Sequence, residues 1–204
     1  MEYLREKREI ILKNKVLNEL DKFALDFVNV IQHYTDYVII SGYVSILLGR
    51  SRATEDIDIF IEKINFEKFS NMYESLEKKG FWCLNSDNKF TLFQYLQDGL
   101  AIRFSKKGIP IPNFEVKFPK DELDDSVFSD FITVNLSKGK IKISSLERHI
   151  AFKEYYLGAD KDKEDAKHIE EIFKSQIDYD KINKLKELIK ERNKKWKKRN
   201  KEVL

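Results

Sequence analysis

Two aspartates separated by one isoleucine, Asp56 and Asp58, open the alternating run Asp56-Ile57-Asp58-Ile59-Phe60-Ile61. Side chains two apart on a β-strand point the same way, so a strand here sets both carboxylates side by side on one face. Like charges at that spacing repel unless a cation lies between them, and a divalent metal on hard oxygen donors is the usual partner. Ile57, Ile59 and Ile61 face the other way and read as core. An isolated Asp-x-Asp also suits a solvated strand edge, so its setting decides between the two.

That setting is a strand, Val38 to Ser41, entering a turn at Gly42, then a short helix over Tyr43 to Gly49. The first N–H groups of such a helix point at an anion. The run Arg50-Ser51-Arg52-Ala53-Thr54 follows. Further on, Phe114-Glu115-Val116-Lys117-Phe118 alternates again and places Glu115 beside Lys117 on one face. Glu115 is either a third acid of the site or half of a surface ion pair with Lys117.

Lys153 stands in the helical stripe Leu146, Ile150, Lys153, Leu157. A lysine there costs free energy unless it is paired or extends its head to water. It either snorkels or enters a cleft as a functional positive charge. Asp162 and Asp165 begin the next helix, where acids complement the dipole. Asp165 also continues the stripe of Ile169 and Ile172, which aims it inward towards Lys153.

The order of strand, small-residue turn, short helix and Asp-x-Asp strand resembles the nucleotidyltransferase (DNA polymerase β-like) superfamily. Ser41-Gly42-Tyr43 stands where that family usually has Gly-Gly or Gly-Ser. The later run, Ile143-Ser144-Ser145-Leu146-Glu147 through Lys153, Gly158, Lys161-Asp162 and Asp165-Ala166, is similar to the C-terminal signature of AbiEii-type nucleotidyltransferases. The resemblance covers roughly residues 36–175. It implies an α+β fold, with a short mixed sheet flanked by helices and a C-terminal helical subdomain.

It further implies that Asp56, Asp58 and Glu115 hold Mg²⁺ or Mn²⁺, with Glu115 where the family usually has Asp. Ser41, Gly42, Arg50, Arg52 and Lys153 would meet the nucleotide, and Asp165 would orient Lys153 or touch metal. The implied reaction moves a nucleotidyl group from an NTP to an acceptor hydroxyl. Many AbiEii-like proteins are toxins of toxin–antitoxin pairs and some add nucleotides to tRNA. The expected partners are therefore an NTP, tRNA or other RNA, and a cognate antitoxin. The group's frequent Arg after the lysine is not evident, since Tyr155-Tyr156-Leu157 occupies that region. Two other readings stay open: a catalytically degenerate binding module on the same fold, and a transferase acting on a small molecule such as an aminoglycoside, or on protein.

The elements that must carry these residues follow from periodicity. Residues 2–34 read as a helix on the recurrence of Leu20, Phe23, Ala24, Phe27, Ile31 and Tyr34. Phe66, Phe69, Tyr73 and Leu76 make a helix stopped by Gly80. Phe90 to Leu96 and Leu100 to Phe104 read as a hairpin turning at Gln97-Asp98-Gly99. Short strands surround Ser137-Lys138-Gly139. Ser144 to Glu147 fits a capping box opening a helix that runs to Leu157 and stops at Gly158. Two more helices follow, from about Asp162 and from about Asp180. The expected division is 1–143, the core with its N-terminal helix, and 144–204, a helical subdomain packed on it.

Composition bounds the rest. The chain has 204 residues, 42% hydrophobic, which suffices for a core. Charged residues make up 36%, yet the net charge is only +3, so the overall field does not by itself imply nucleic acid. The single Cys83, beside Phe81, Trp82 and Leu84, excludes an internal disulfide and reads as a buried thiol. The charged N-terminus is no signal peptide and no apolar run spans a bilayer, so a cytoplasmic location is expected. His33, His149 and His168 share no ligand spacing and read as structural. The basic end, Lys194-Lys195-Trp196-Lys197-Lys198-Arg199, suits RNA phosphates or a solvated helix tip.

Overall fold

The computed structural model describes the backbone of residues 1–201 and side chains through Lys198. Arg199, the last of the basic run, lies outside the described side chains. A nine-stranded mixed sheet runs in the order β1 (Glu2–Leu4), β2 (Glu9–Leu12), β8 (Phe131–Leu136), β9 (Gly139–Ser144), β3 (Tyr37–Ile39), β4 (Asp56–Ile61), β7 (Asn113–Lys117), β6 (Ile102–Lys106) and β5 (Phe81–Cys83). The helices are α1 (Glu19–Ile31), α2 (Gly42–Leu47), α3 (Phe66–Lys78), α4 (Lys89–Gln97), α5 (Glu122–Asp125), α6 (Leu146–Phe152), α7 (Asp160–Phe173) and α8 (Tyr179–Lys201). The architecture is α+β.

Alternation decides which face of the sheet is core. Ile57, Ile59 and Ile61 of β4 and Phe114 and Val116 of β7 are buried under α1 and α3. Phe27 of α1 stacks on Phe114 with ring centroids 4.1 Å apart. The opposite face carries Asp56, Asp58, Glu115 and Lys117. It is covered near β3 by a small apolar cluster of Val38, Phe60 and Val127. Cys83 is buried, and burial pushes its thiol up from the ordinary range. Among the described residues no helix is long and apolar enough to cross a membrane.

Two expected elements are wrong. The helix proposed over 2–34 exists only as α1. Residues 2–12 form an antiparallel pair, β1 and β2, that turns at Arg8 (φ 50°) and extends the sheet beside β8. Helical charge spacing lost there to edge pairing of Ile10 and its neighbours. Asn18 then opens α1 with a capping box, accepting the Asp21 N–H at 2.8 Å.

The expected 90–104 hairpin is instead α4 followed by β6. Asn88 caps α4 by accepting the Thr91 N–H at 3.0 Å, and Leu92 and Leu96 fill the core four residues apart. Gly99, at φ 74°, ends the helix in the left-handed region rather than turning a hairpin.

The C-terminal helices follow expectation with two shifts. Ser145, not Ser144, caps α6, accepting the Arg148 N–H at 3.3 Å. Glu147 does not close the box but accepts the Asp178 N–H at 3.2 Å. From Lys153 to Leu157 the helix widens into a π turn and ends at Gly158 (φ 72°). The extra residue per turn rotates Leu157 out of the Lys153 stripe, leaving it 47% exposed. Ile172 likewise leaves the Asp165 stripe and is exposed.

Candidate active site

Parallel pairing of β4 with β7 sets Asp58 directly beside Glu115, and Asp56 beside Asn113. The two strands thus bring the predicted third acid next to the aspartate pair. The cation between them is a lysine. Lys117 Nζ stands 2.6 Å from Asp58 Oδ1 and 2.9 Å from Glu115 Oε2. Arg103, opposite Glu115 on β6, also donates to that carboxylate.

Burial pushes the Glu115 carboxyl up, but hydrogen bonds from Lys117 and Arg103 outweigh it and hold the group below the usual range. Lys117 is the mirror case: burial lowers it, and Asp58 with Glu115 more than restores its charge. Among the described residues no group of three or more His, Cys, Asp or Glu side chains is assembled to hold a metal. Lys117 bridges Asp58 and Glu115 only. Asp56 Oδ1 lies 3.3 Å from Thr54 Oγ1 and meets no cation among the described residues, so its hard oxygens with those of Asp58 are the donors that could take Mg²⁺ or Mn²⁺. Glu115 could join only by releasing Lys117.

A second cluster assembles Arg50, Arg52, Lys153, Asp162 and Asp165. Lys153, 3% exposed, stands 2.6 Å from Asp162 Oδ1 and 2.9 Å from Asp165 Oδ2. Its ammonium is therefore buried and paired rather than snorkelling. Asp165, fully buried, also meets Arg50, and Arg52 Nε lies 3.1 Å from its Oδ1. Burial raises the Asp165 carboxyl, but the cations around it win and hold it below the ordinary value. Asp165 is the hub that ties α7 to the loop preceding β4.

The turn between β3 and α2 is special in its backbone. Ser41 adopts φ 62°, a conformation that costs a non-glycine residue about 1–3 kcal/mol. Gly42 follows, and a Cβ there would collide with the Arg52 guanidinium, so the missing side chain is what lets Arg52 lie on the turn. Ser41 faces the cavity, while Gly42 is covered by Arg52.

That cavity, about 420 Å³, is lined by Ser41, Asp58, Lys117, His149, Lys153 and Arg148 among others. Its volume falls in the range of ligand pockets. Arg50, Arg52, Asp56, Glu115 and Asp165 are not in its lining.

Arg148, Arg192, Lys120 and Asp124 line it without having been singled out by the sequence, and His149 does so after being read as structural. Arg148 had no signal beyond its place on α6. Arg192 reaches the cavity from α8, so the basic helix contributes to the wall. His149, read as structural, has Nε2 2.9 Å from Ser45 Oγ and a buried Nδ1 without a partner. Burial, and then the Lys153 charge, push its imidazole down to about 3.

The unfolded chain protonates His149 below its ordinary value of about 6.5 while the folded chain does not, so stability falls as pH drops from there towards 3. Between pH 7 and pH 5 this group should remove about 2 kcal/mol, at about 1.4 kcal/mol per pH unit below 6.5. Urea unfolding of His149→Gln should show a correspondingly flatter loss over that window. An unchanged slope would mean that the ring is charged in the fold.

No protein-family model matches the chain, and no curated protein matches it. Its fold is that of known nucleotidyltransferases. The solution structure of the antibiotic-resistance factor ANT(2'')-Ia superposes with a TM-score of 0.56 at 13% identity, covering 89% of this chain and 96% of that one. An antigenic nucleotidyltransferase-like protein from Paracoccidioides brasiliensis gives 0.51 at 16% identity, covering 85% and 88%. At such identities the likeness shows the fold alone.

Proposed function

We propose that this chain is a metal-dependent nucleotidyltransferase of the AbiEii type that transfers a nucleotidyl group from an NTP to an acceptor hydroxyl. The observation that carries the reading is Asp58, Ser41 and Lys153 lining one cavity on the nucleotidyltransferase fold. Asp56 and Asp58 would hold Mg²⁺ or Mn²⁺, with Glu115 completing the set once Lys117 is displaced. Such an ion would offset negative charge at the reacting phosphate and favour deprotonation of the acceptor hydroxyl.

The chain's own residues do the positioning. Ser41 offers its hydroxyl and backbone at the cavity wall. Asp162 and Asp165 hold Lys153 at the cavity as a fixed positive charge for the triphosphate. Arg50 and Arg52 act by clamping Asp165, with Arg52 beside the Gly42 turn.

RNA, with tRNA first, is the proposed acceptor. Its support is α8, which supplies Arg192 to the cavity and carries exposed Lys194, Lys195, Trp196, Lys197 and Lys198. Basic residues near aromatic surface suit a phosphate backbone. The AbiEii resemblance adds the proposal that the chain is the toxin of a pair with a cognate antitoxin.

Radiolabelled NTPs with Mg²⁺, offered total RNA, protein and small-molecule pools, should label RNA. Label entering only small molecules, such as aminoglycosides, would move the acceptor assignment to them. A second reading, a degenerate binding module, has one observation in its favour: Glu115 is engaged by Arg103 and Lys117. Label entering no pool would favour it.

A further inference from the structure

The cavity has a second end. Away from Asp58 and Ser41 its wall carries Arg148, Lys120, Arg192 and Asp124. Arg192 is paired, 2.9 Å from both Asp121 and Asp124, and lies over the Tyr156 ring at 5.0 Å. Arg148 is not paired. It is 4% exposed, donates to Ser126 Oγ at 3.0 Å and to the Leu123 carbonyl, and stacks over Phe152 at 4.8 Å.

Among the described residues no carboxylate lies within 4.0 Å of its guanidinium. Burial lowers its pKa, against the pull of Asp130 and Asp124. A buried cation without a counter-ion is costly, and neutral acceptors repay it only in part. Lys120, exposed at the same wall, also has no carboxylate partner within that distance.

We propose that Arg148, assisted by Lys120, receives a phosphate of the acceptor, so that the acceptor is a phosphate-bearing molecule and a polycationic aminoglycoside is rejected. The proposal rests on the transferase reading only in calling the ligand an acceptor. A planar guanidinium presents two N–H groups to one phosphate, which an ammonium cannot do. An aminoglycoside would bring its ammonium groups against Arg148 and Lys120, and like charges at an interface act as a built-in rejection. The rings of Phe152 and Tyr156 beside the two arginines offer stacking surface to a base.

The same phosphate chemistry could come from the NTP, and the test separates the sources. Calorimetric titrations use the full chain with the ribodinucleoside monophosphate CpA, with a non-hydrolysable ATP analogue plus Mg²⁺, and with neomycin. Arg148→Gln should weaken CpA binding at least tenfold, Arg148→Lys should restore part of it, and the analogue's affinity should stay within twofold. Neomycin should give no saturable heat.

Lys120→Gln, exposed and therefore safe for folding, should weaken CpA several-fold; thermal unfolding of each variant reports its integrity. Unchanged CpA affinity in both glutamine variants would overturn the proposal, as would no saturable CpA binding to the wild type. A loss confined to the ATP analogue would reassign Arg148 to the triphosphate and overturn it equally. Arg148-dependent CpA binding without any transfer would sink the transferase reading and leave the phosphate subsite standing.

Discussion

Lys153→Met should destabilise the fold by about 3 kcal/mol, measured by urea unfolding near neutral pH, because it strands a buried carboxylate. Asp162 and Asp165 are 6% and 0% exposed at the side chain, and Lys153 is within 3 Å of both. Asp165 keeps Arg50 and Arg52, whereas Asp162 has no other cation within salt-bridge distance among the described residues. Methionine keeps the stem's volume, so the loss measures charge rather than packing.

The double change Lys153→Met with Asp162→Asn should recover a large part of the loss, since the uncompensated charge goes with its partner. A neutral or stabilising Lys153→Met would return the residue to the snorkelling class. In the folded variant NTP affinity should fall by an order of magnitude or more, the equivalent of about 1.5–3 kcal/mol for a charge-assisted contact. Wild-type affinity would remove Lys153 from the nucleotide site.

Asp58→Ala should abolish metal binding while leaving the metal-free fold almost unchanged. Lys117 loses one carboxylate but keeps Glu115 at 2.9 Å, so no buried cation is stranded. Wild-type protein should melt at higher temperature as Mn²⁺ rises through the millimolar range, by about 2.7 kcal/mol of added stability at a hundredfold excess over Kd. The alanine variant should show no shift. A wild-type melting temperature indifferent to Mn²⁺ would mean that Lys117 is the permanent cation of the site.

Local pattern was legible where one element carried it. The Asp56–Asp58 strand, the turn at Gly42 and the stop at Gly158 came from alternation and glycine placement alone. Partners set by pairing between distant strands were not legible. Arg103 meets Glu115 only because β6 lies beside β7, and Lys117 reaches Asp58 only across the β4–β7 pair.

Arg148 and Arg192 carry no local signal of a site, and packing turned them into a cavity wall. The two misread segments failed for a related reason. Residues 9–12 pair with β8, more than a hundred positions away, and Leu92 and Leu96 pack four apart where the strand propensity of the neighbouring aromatics suggested alternation. The stripe containing Lys153 was right at Lys153 and wrong at Leu157, because the π turn between them shifts the phase.

We propose nucleotidyl transfer at the Asp56–Asp58 pair. Its most direct test compares wild type with Asp56→Asn/Asp58→Asn, using radiolabelled NTPs, Mg²⁺ and the same acceptor pools. The wild type should label an acceptor, and the double variant should lose at least ~10³-fold, since one lost electrostatic stabiliser alone costs about 10²–10³. Folding should be retained, because both substitutions are close to isosteric. Equal labelling by the two proteins, or none from the wild type on any acceptor, would contradict it.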